Sequence, residues 1–412
     1  MQSPPREMHP IARGGCALRV VIHLCPDFAA PGGSGGRADD GRAEYSVVPV
    51  HPRRKAREPP HDPTLREESG PGMKTLVLGG SQFVGLHTVR ELVARGHEVA
   101  VLNRGRTETH LPPGVERLVA DRRDAQSMRT ALEGKEWDAV FDVSGFVMVA
   151  VGSNMSDLID MLDGRVGAYV YTSSIMAYAP SGVFPWHESF PTVDEGPNTY
   201  GGFKKATEAA LLERHGRTGF PASVVRPAAI YGPDNNIYDM EMATFLRLLR
   251  GLPIILPHDG LVTGSYGHVD DLCRAMVDMA THPKAAGEVF NITAEGVTAN
   301  EYVSVLSEIV GKPADRVYMP SRYVGKLEKP AYSHLFGSFH HGVLSIGKAQ
   351  DLLGFQPEYD FRRGHAQTFE WFMSAGLDST VEAPADPLWF ASYDFEYEAR
   401  LAATLRAEQE PE

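Results

Sequence analysis

Tyr200 and Lys204 stand four residues apart in "NTYGGFKKATE", residues 198–208. Residues at i and i+4 share one face of a helix, so the phenol and the ammonium project together. A tyrosine titrates near pH 10, and only about 0.1% of it is ionised at neutrality. Work as a base near pH 7 needs a shift of roughly three units, or about 4 kcal/mol. One ammonium plus a second positive charge in a partly dry cleft supplies it. Gly201 and Gly202 weaken the same helix start by roughly 0.5–1 kcal/mol each relative to alanine. That penalty implies close approach of backbone, cofactor and substrate. Alone, Y-x-x-x-K occurs by chance on surface helices. The serines of "YTSSIMAY" make it specific. Ser173 and Ser174 end an apolar run and fall at the carboxyl edge of a parallel sheet, where ligands bind. A hydroxyl there can bond the substrate oxygen whose proton the tyrosine removes.

A phosphate-binding turn lies upstream in "VLGGSQFVGLH". It follows a strand and opens a helix, where backbone N–H groups stabilise a pyrophosphate. Gly79 and Gly85 hold the outer glycine positions, and Gln82 stands where the middle glycine is expected. Ser81, Phe83 and Val84 complete the expected cradle. About twenty residues on, where an acid usually binds the adenosine ribose, the chain reads "VLNRGRT". Asn103 replaces the acid, and Arg104 and Arg106 follow. Losing a carboxylate removes repulsion against a 2′-phosphate, and guanidinium offers bidentate donors, which favours NADP over NAD. Asp121 in "LVADRRD" is expected either at the adenine amino group or near a helix N-cap. Arg122, Ser144 and Pro227 are further expected cofactor contacts.

Strands alternate with helical stretches from Met73 onward: "KTLVLGG", "EVAVLNRG", "VERLVAD", "WDAVFDVSG" and "GAYVYTSS". This indicates an α/β fold with a Rossmann-type, doubly wound parallel sheet and a smaller C-terminal α/β substrate region. The expected division is residues 73–232 for dinucleotide binding and 233–412 for an interleaved substrate region. The latter carries "GEVFNIT", a helix from about Ala299 to Val310, and a late helix near "SIGKAQDLLG". Residues 1–72, with "PGGSGGRADDGR" and "HPRRKAREPPHDP", are too rich in Pro, Gly and charge to offset the entropy of ordering. They are expected to be a disordered extension, or untranslated sequence upstream of a working start at Met73.

The 412 residues carry a formal net charge of −13, which argues against a nucleic-acid partner held by a general basic field. Of three cysteines, only Cys273 lies in the body of the chain, which excludes a disulfide framework and suits the cytoplasm. No apolar run is long enough for a membrane span.

Taken together, "GGSQFVG", "YTSSIMAY", "YGGFK" with Glu208 beyond, "VVRPAAIYGP", "HVDDL", "GEVFNIT" and "KAQDLLGFQP" resemble the extended short-chain dehydrogenase/reductases of the NAD-dependent epimerase/dehydratase type. The resemblance covers almost all of the chain from Met73. It implies that Tyr200 is the acid/base, that Lys204 binds the nicotinamide ribose and lowers the tyrosine pKa, and that Ser174 completes the triad. It also implies a small-molecule substrate, a sugar or nucleotide-sugar, with Met176, Asn235 and His268 lining its site, and a homodimer. Dehydratases of the family carry an Asp-Glu pair after the catalytic hydroxyl; here Ile175 and Met176 stand there, which disfavours dehydration. Gly264 occupies the place of an arginine that epimerases set on a substrate diphosphate, with Arg247 or Lys326 as candidate substitutes. The replaced middle glycine, "LNRG", "GLVTGSYGHV" and "DFEYEARL" are similar to chloroplast stem-loop RNA-binding proteins and their bacterial relatives. In their plant branch the Tyr–Lys pattern is degraded, whereas here it is intact.

Three local features complete the reading. Trp186, His187 and Glu188 are expected in a substrate lid or an exposed loop. His334, His340 and His341 lack zinc-site spacing and are expected to line a pocket or the surface. "YDFEYEARL" is expected to dock as an amphipathic segment.

Overall fold

The computed structural model describes residues 72–107, 110–144, 153–237, 240–379 and 394–409. The expectation for residues 1–72 falls, but for Gly72, outside them. The first half runs β1 (Lys74–Leu78), α1 (Phe83–Ala94), β2 (Glu98–Asn103), β3 (Glu116–Val119), α2 (Ala125–Leu132), β4 (Trp137–Asp142), α3 (Ser153–Leu162), β5 (Val166–Thr172), α4 (Tyr200–Thr218), β6 (Ala222–Pro227) and β7 (Ala229–Tyr231). Then follow α5 (Glu241–Arg250), β8 (Pro253–Pro257), β9 (Thr263–His268), α6 (Val269–Thr281), β10 (Val289–Ile292), β11 (Glu295–Thr298), α7 (Ala299–Val310), β12 (Asp315–Met319), α8 (Gly347–Leu353), α9 (Phe361–Ser374) and α10 (Phe395–Ala407).

Seven strands form one sheet in the order β10-β6-β5-β4-β1-β2-β3, every pairing parallel. The central strands are apolar on both faces, as a sheet covered by helices on both sides requires. Successive side chains point to opposite faces, and the packing follows that alternation. Val77 and Phe141 join Val89 and Leu92 of α1 and Leu272 and Met276 of α6. Leu76, Leu78 and Val140 join Met128 of α2, Leu158 and Ile159 of α3, and Leu211 of α4. This is the expected doubly wound α/β architecture. The strand from "GEVFNIT", β10, pairs with β6 at one edge of this sheet.

The chain after β6 also builds a smaller body from a three-stranded sheet, β11-β9-β7, and a two-stranded one, β12-β8. An aromatic core of Tyr231, Phe245, Tyr266, Tyr302, Phe361 and Phe372 fills it. The segment expected to dock, "YDFEYEARL", forms α10, whose Ala402 and Leu405 are buried with Ile255, Val317 and Met319. Arg247 of α5 fixes it with a bidentate ion pair to Glu398, at 2.9 and 2.8 Å. Arg247 is therefore spent inside the protein and does not substitute for the missing diphosphate arginine; Lys326 is exposed. No helix among the described residues is long and apolar enough to cross a membrane.

Candidate active site

The phosphate loop leaves β1 through Gly79, whose φ of +97° suits glycine. A Cβ on Gly85 would lie 2.4 Å from the Gly79 carbonyl oxygen, so only glycine lets α1 start this close to the strand. Gln82 is the N-cap of α1, yet its side chain makes no capping bond, and the first turn holds no acid. The leading N–H groups of α1 thus keep their positive end for an anion. These features fit a dinucleotide pyrophosphate. Asn103, at the end of β2, bonds Ser81 Oγ through Nδ2 at 2.8 Å and accepts from Gly105 N, tying the two strand ends together. Arg104 and Arg106 are exposed beside it.

Asp121 and Arg122, also expected at the cofactor, each hold an ion pair. Arg123 clasps the Asp121 carboxylate from Nε and Nη2, at 3.1 and 2.7 Å, and holds it well below the usual carboxylate range. Arg122 turns inward. Its guanidinium meets Asp142, the last residue of β4, with Nη2 to Oδ2 at 2.7 Å, and donates to Ser144 Oγ at 2.5 Å. Asp142 has no exposed surface and also accepts from the Tyr169 hydroxyl at 2.6 Å. Burial is offset there by the ion pair, and the carboxyl stays below its ordinary pKa. Pro227 closes β6 beside Ile292.

Tyr200, Lys204 and Ser174 come together. Thr199 caps α4 by accepting from Gly202 N at 3.1 Å, which places Tyr200 at the first helical position and Lys204 one turn later. Lys204 is buried, with Nζ 2.7 Å from the Thr172 carbonyl and 5.5 Å from the centre of the Tyr200 ring. Ser174 ends the β5 run and caps a short 3-10 turn, Ile175–Ala177, by accepting from Met176 N. Its hydroxyl bonds the Tyr200 phenol and favours the ionised form, but burial outweighs it and Tyr200 is pushed up to about 12. Burial brings Lys204 down to about 7, against the pull of Asp142. In the protein by itself the phenol therefore stays protonated.

Ser173 points the other way. It donates to Glu208, which holds Arg226 of β6 through a buried fork with Nη2 2.6 Å from Oε2. That network, invisible in the sequence apart from the motif letters, sets the spacing of α4, β5 and β6. The two glycines serve the protein's own backbone. A Cβ at Gly201 would stand 2.2 Å from the Met176 carbonyl oxygen, and one at Gly202 would stand 2.1 Å from that of Gly196. The expected close approach is made to the turn that carries Ser174 at Gly201 and to the loop before α4 at Gly202.

Of the expected substrate contacts, Met176 is 53% exposed beside Ser174. Asn235 is buried and donates to Glu241 at 2.9 Å. His268 has no exposed surface; it stacks on Tyr359 at 3.8 Å, caps α6, and is pushed down to about 4 by burial. This placement makes it a packed residue rather than a wall of an open cleft. Trp186 is likewise buried, bridged to Leu344 and bonded to Val343 and Ser345, while Glu188 accepts from Asn291 N. Trp186 and Glu188 are thereby held in place, while His187 between them is exposed. His341 accepts from Thr263 N at 3.1 Å and packs on Phe184, and no metal-ligating cluster occurs among the described residues.

A parallel seven-stranded sheet, a glycine turn at its first helix and a Ser–Tyr–Lys constellation at its carboxyl edge are the features of a dinucleotide-binding α/β fold. The NAD dependent epimerase/dehydratase family model matches residues 75–293. The chloroplast stem-loop binding protein of 41 kDa b from Arabidopsis thaliana is 27% identical over 79% of this chain and 87% of its own. A UDP-glucose 4-epimerase from Mycolicibacterium smegmatis is 26% identical, over 73% of this chain and 98% of its own. The solved UDP-glucose 4-epimerase with UDP-glucose from Thermotoga maritima superposes with a TM-score of 0.61 at 25% identity, covering 73% of this chain and 99% of that one. The chain belongs to the NAD-dependent epimerase/dehydratase family; it is an enzyme of the extended short-chain dehydrogenase/reductase type, with NAD(P) as its cofactor.

Proposed function

We propose that the enzyme is an epimerase or oxidoreductase that moves hydride at a hydroxyl-bearing or carbonyl carbon of a sugar or nucleotide-sugar. The observation that carries this reading is the Ser174–Tyr200 hydrogen bond with Lys204 buried one turn behind. The nicotinamide, when bound, supplies or accepts the hydride. Tyr200, protonated at rest, gives its proton to the carbonyl oxygen during reduction and takes it back during oxidation. Ser174 orients that oxygen. Lys204 holds its ammonium between the Thr172 carbonyl and the Tyr200 ring, where its charge favours the phenolate. Ile175 and Met176 offer no proton, so elimination of water has no acid or base at those positions. Asn103 with exposed Arg104 and Arg106 supports NADP as the preferred cofactor.

Similarity to the chloroplast stem-loop binding protein supports a second reading, RNA recognition on the same fold. Tyr200→Phe separates the two. The enzyme reading expects turnover to fall by about 10²–10⁴-fold with cofactor binding retained. Unchanged turnover would refute it. RNA binding that weakens with salt and survives the substitution favours the second reading.

A further inference from the structure

Three consecutive residues after β7, Asp234, Asn235 and Asn236, each grip a different part of the protein. Asp234 adopts a left-handed φ of +60°, rare for a side-chain-bearing residue, and accepts from Arg90 of α1 at 2.5 Å. His87, one turn earlier on α1, lies 3.3 Å from the same oxygen and 2.6 Å from Asp270 of α6. Asn235 is locked to Glu241 at the start of α5. Asn236 then donates through Nδ2 to Gln82 Oε1 at 3.3 Å. Gln82 is the residue that replaces the middle glycine of the phosphate loop. Its side chain leaves the α1 N-terminus uncapped and instead accepts from Asn236, in the segment after β7.

We propose that Gln82 and Asn236 form a latch that closes over a dinucleotide lying on the α1 N-terminus and holds it between turnovers. This rests on the cofactor position given above, not on the role of Tyr200. A glycine at position 82 would have no side chain to make this bond. Here the bond links the phosphate loop to a segment that Asp234 and Asn235 have already fixed in place. Release then requires the Gln82–Asn236 bond to break. A retained cofactor suits a reaction in which the same nicotinamide takes a hydride and returns it, as epimerisation requires.

The test reads cofactor release without any substrate. The full chain is loaded with NADPH or NADH and mixed rapidly with excess oxidised cofactor, and loss of reduced-nicotinamide fluorescence gives the rate. Asn236→Ala and Gln82→Ala should each speed release by about three- to tenfold, the range one neutral hydrogen bond commands. The double variant should release no faster than the faster single one, because the two residues share one bond. Single variants within about twofold of the parent, or effects that multiply, would overturn the latch. A chain that holds no dinucleotide at all would sink the latch and the hydride reading together. A chain that turns over with unaltered release sinks the latch alone.

Discussion

Lys204 and Tyr200 occupy successive turns of α4, with the ammonium 5.5 Å from the centre of the phenol ring and anchored to the Thr172 carbonyl. The helix start that sets this pair is held against the Ser174 turn through Gly201, so the geometry of the site rests on a backbone contact. Gly201→Ala forces the Met176 carbonyl away and moves Ser174 relative to Tyr200. An error of about 1 Å in such a constellation costs roughly 10²-fold in rate. Turnover should therefore collapse by far more than stability does. Gly216→Ala on the same helix meets nothing within 4 Å and should stabilise by about 0.5–1 kcal/mol with activity unchanged. Steady-state kinetics beside thermal unfolding checks both.

Glu208 and Arg226 form a buried ion pair, each about 5% exposed or less. Removing one partner strands a charge. Glu208→Met or Arg226→Met should each cost roughly 3–5 kcal/mol, while the double substitution should cost less than either. Urea unfolding of the three variants measures this. Additive losses would mean that the pair is not coupled.

Glu241 has no exposed surface, and burial pushes its carboxyl up to about 7 from an ordinary 4.5. Between those values the native state binds more protons than the unfolded chain. Stability therefore falls as pH rises through that window, by on the order of 3 kcal/mol, and this contribution is flat above it. Glu241→Gln keeps the shape and should remove that slope, leaving the variant relatively more stable at pH 8 than at pH 5. Denaturant midpoints across pH 4–8 give the comparison.

Arg104 and Arg106 stand exposed after β2, beside Asn103. If they meet a 2′-phosphate, Arg104→Ala should weaken NADP binding by about 1.5–3 kcal/mol, roughly ten- to hundredfold, and leave NAD binding almost unaltered. Equal losses for both cofactors would exclude that role.

The sequence by itself determined what is local or periodic. Apolar runs broken by glycine set strands β1 to β5, the helix at Ala299–Val310 follows its own pattern, and Y-x-x-x-K placed two side chains on one face. The family motifs followed from letters at fixed spacing, and so did the Gln82 and Gly264 departures. Tertiary structure decided everything that depends on a distant partner. It turned Arg122 onto Asp142, Arg226 onto Glu208 and Arg247 onto Glu398, and it buried His268 and pinned Trp186. It also set burial against the Ser174 hydrogen bond at Tyr200, with burial pushing that phenol up. The physical reason is common to all of these. Periodicity is a property of neighbours along the chain, whereas burial, charge pairing and the space beside a glycine are set by segments tens to more than a hundred residues away, and only folding brings them together.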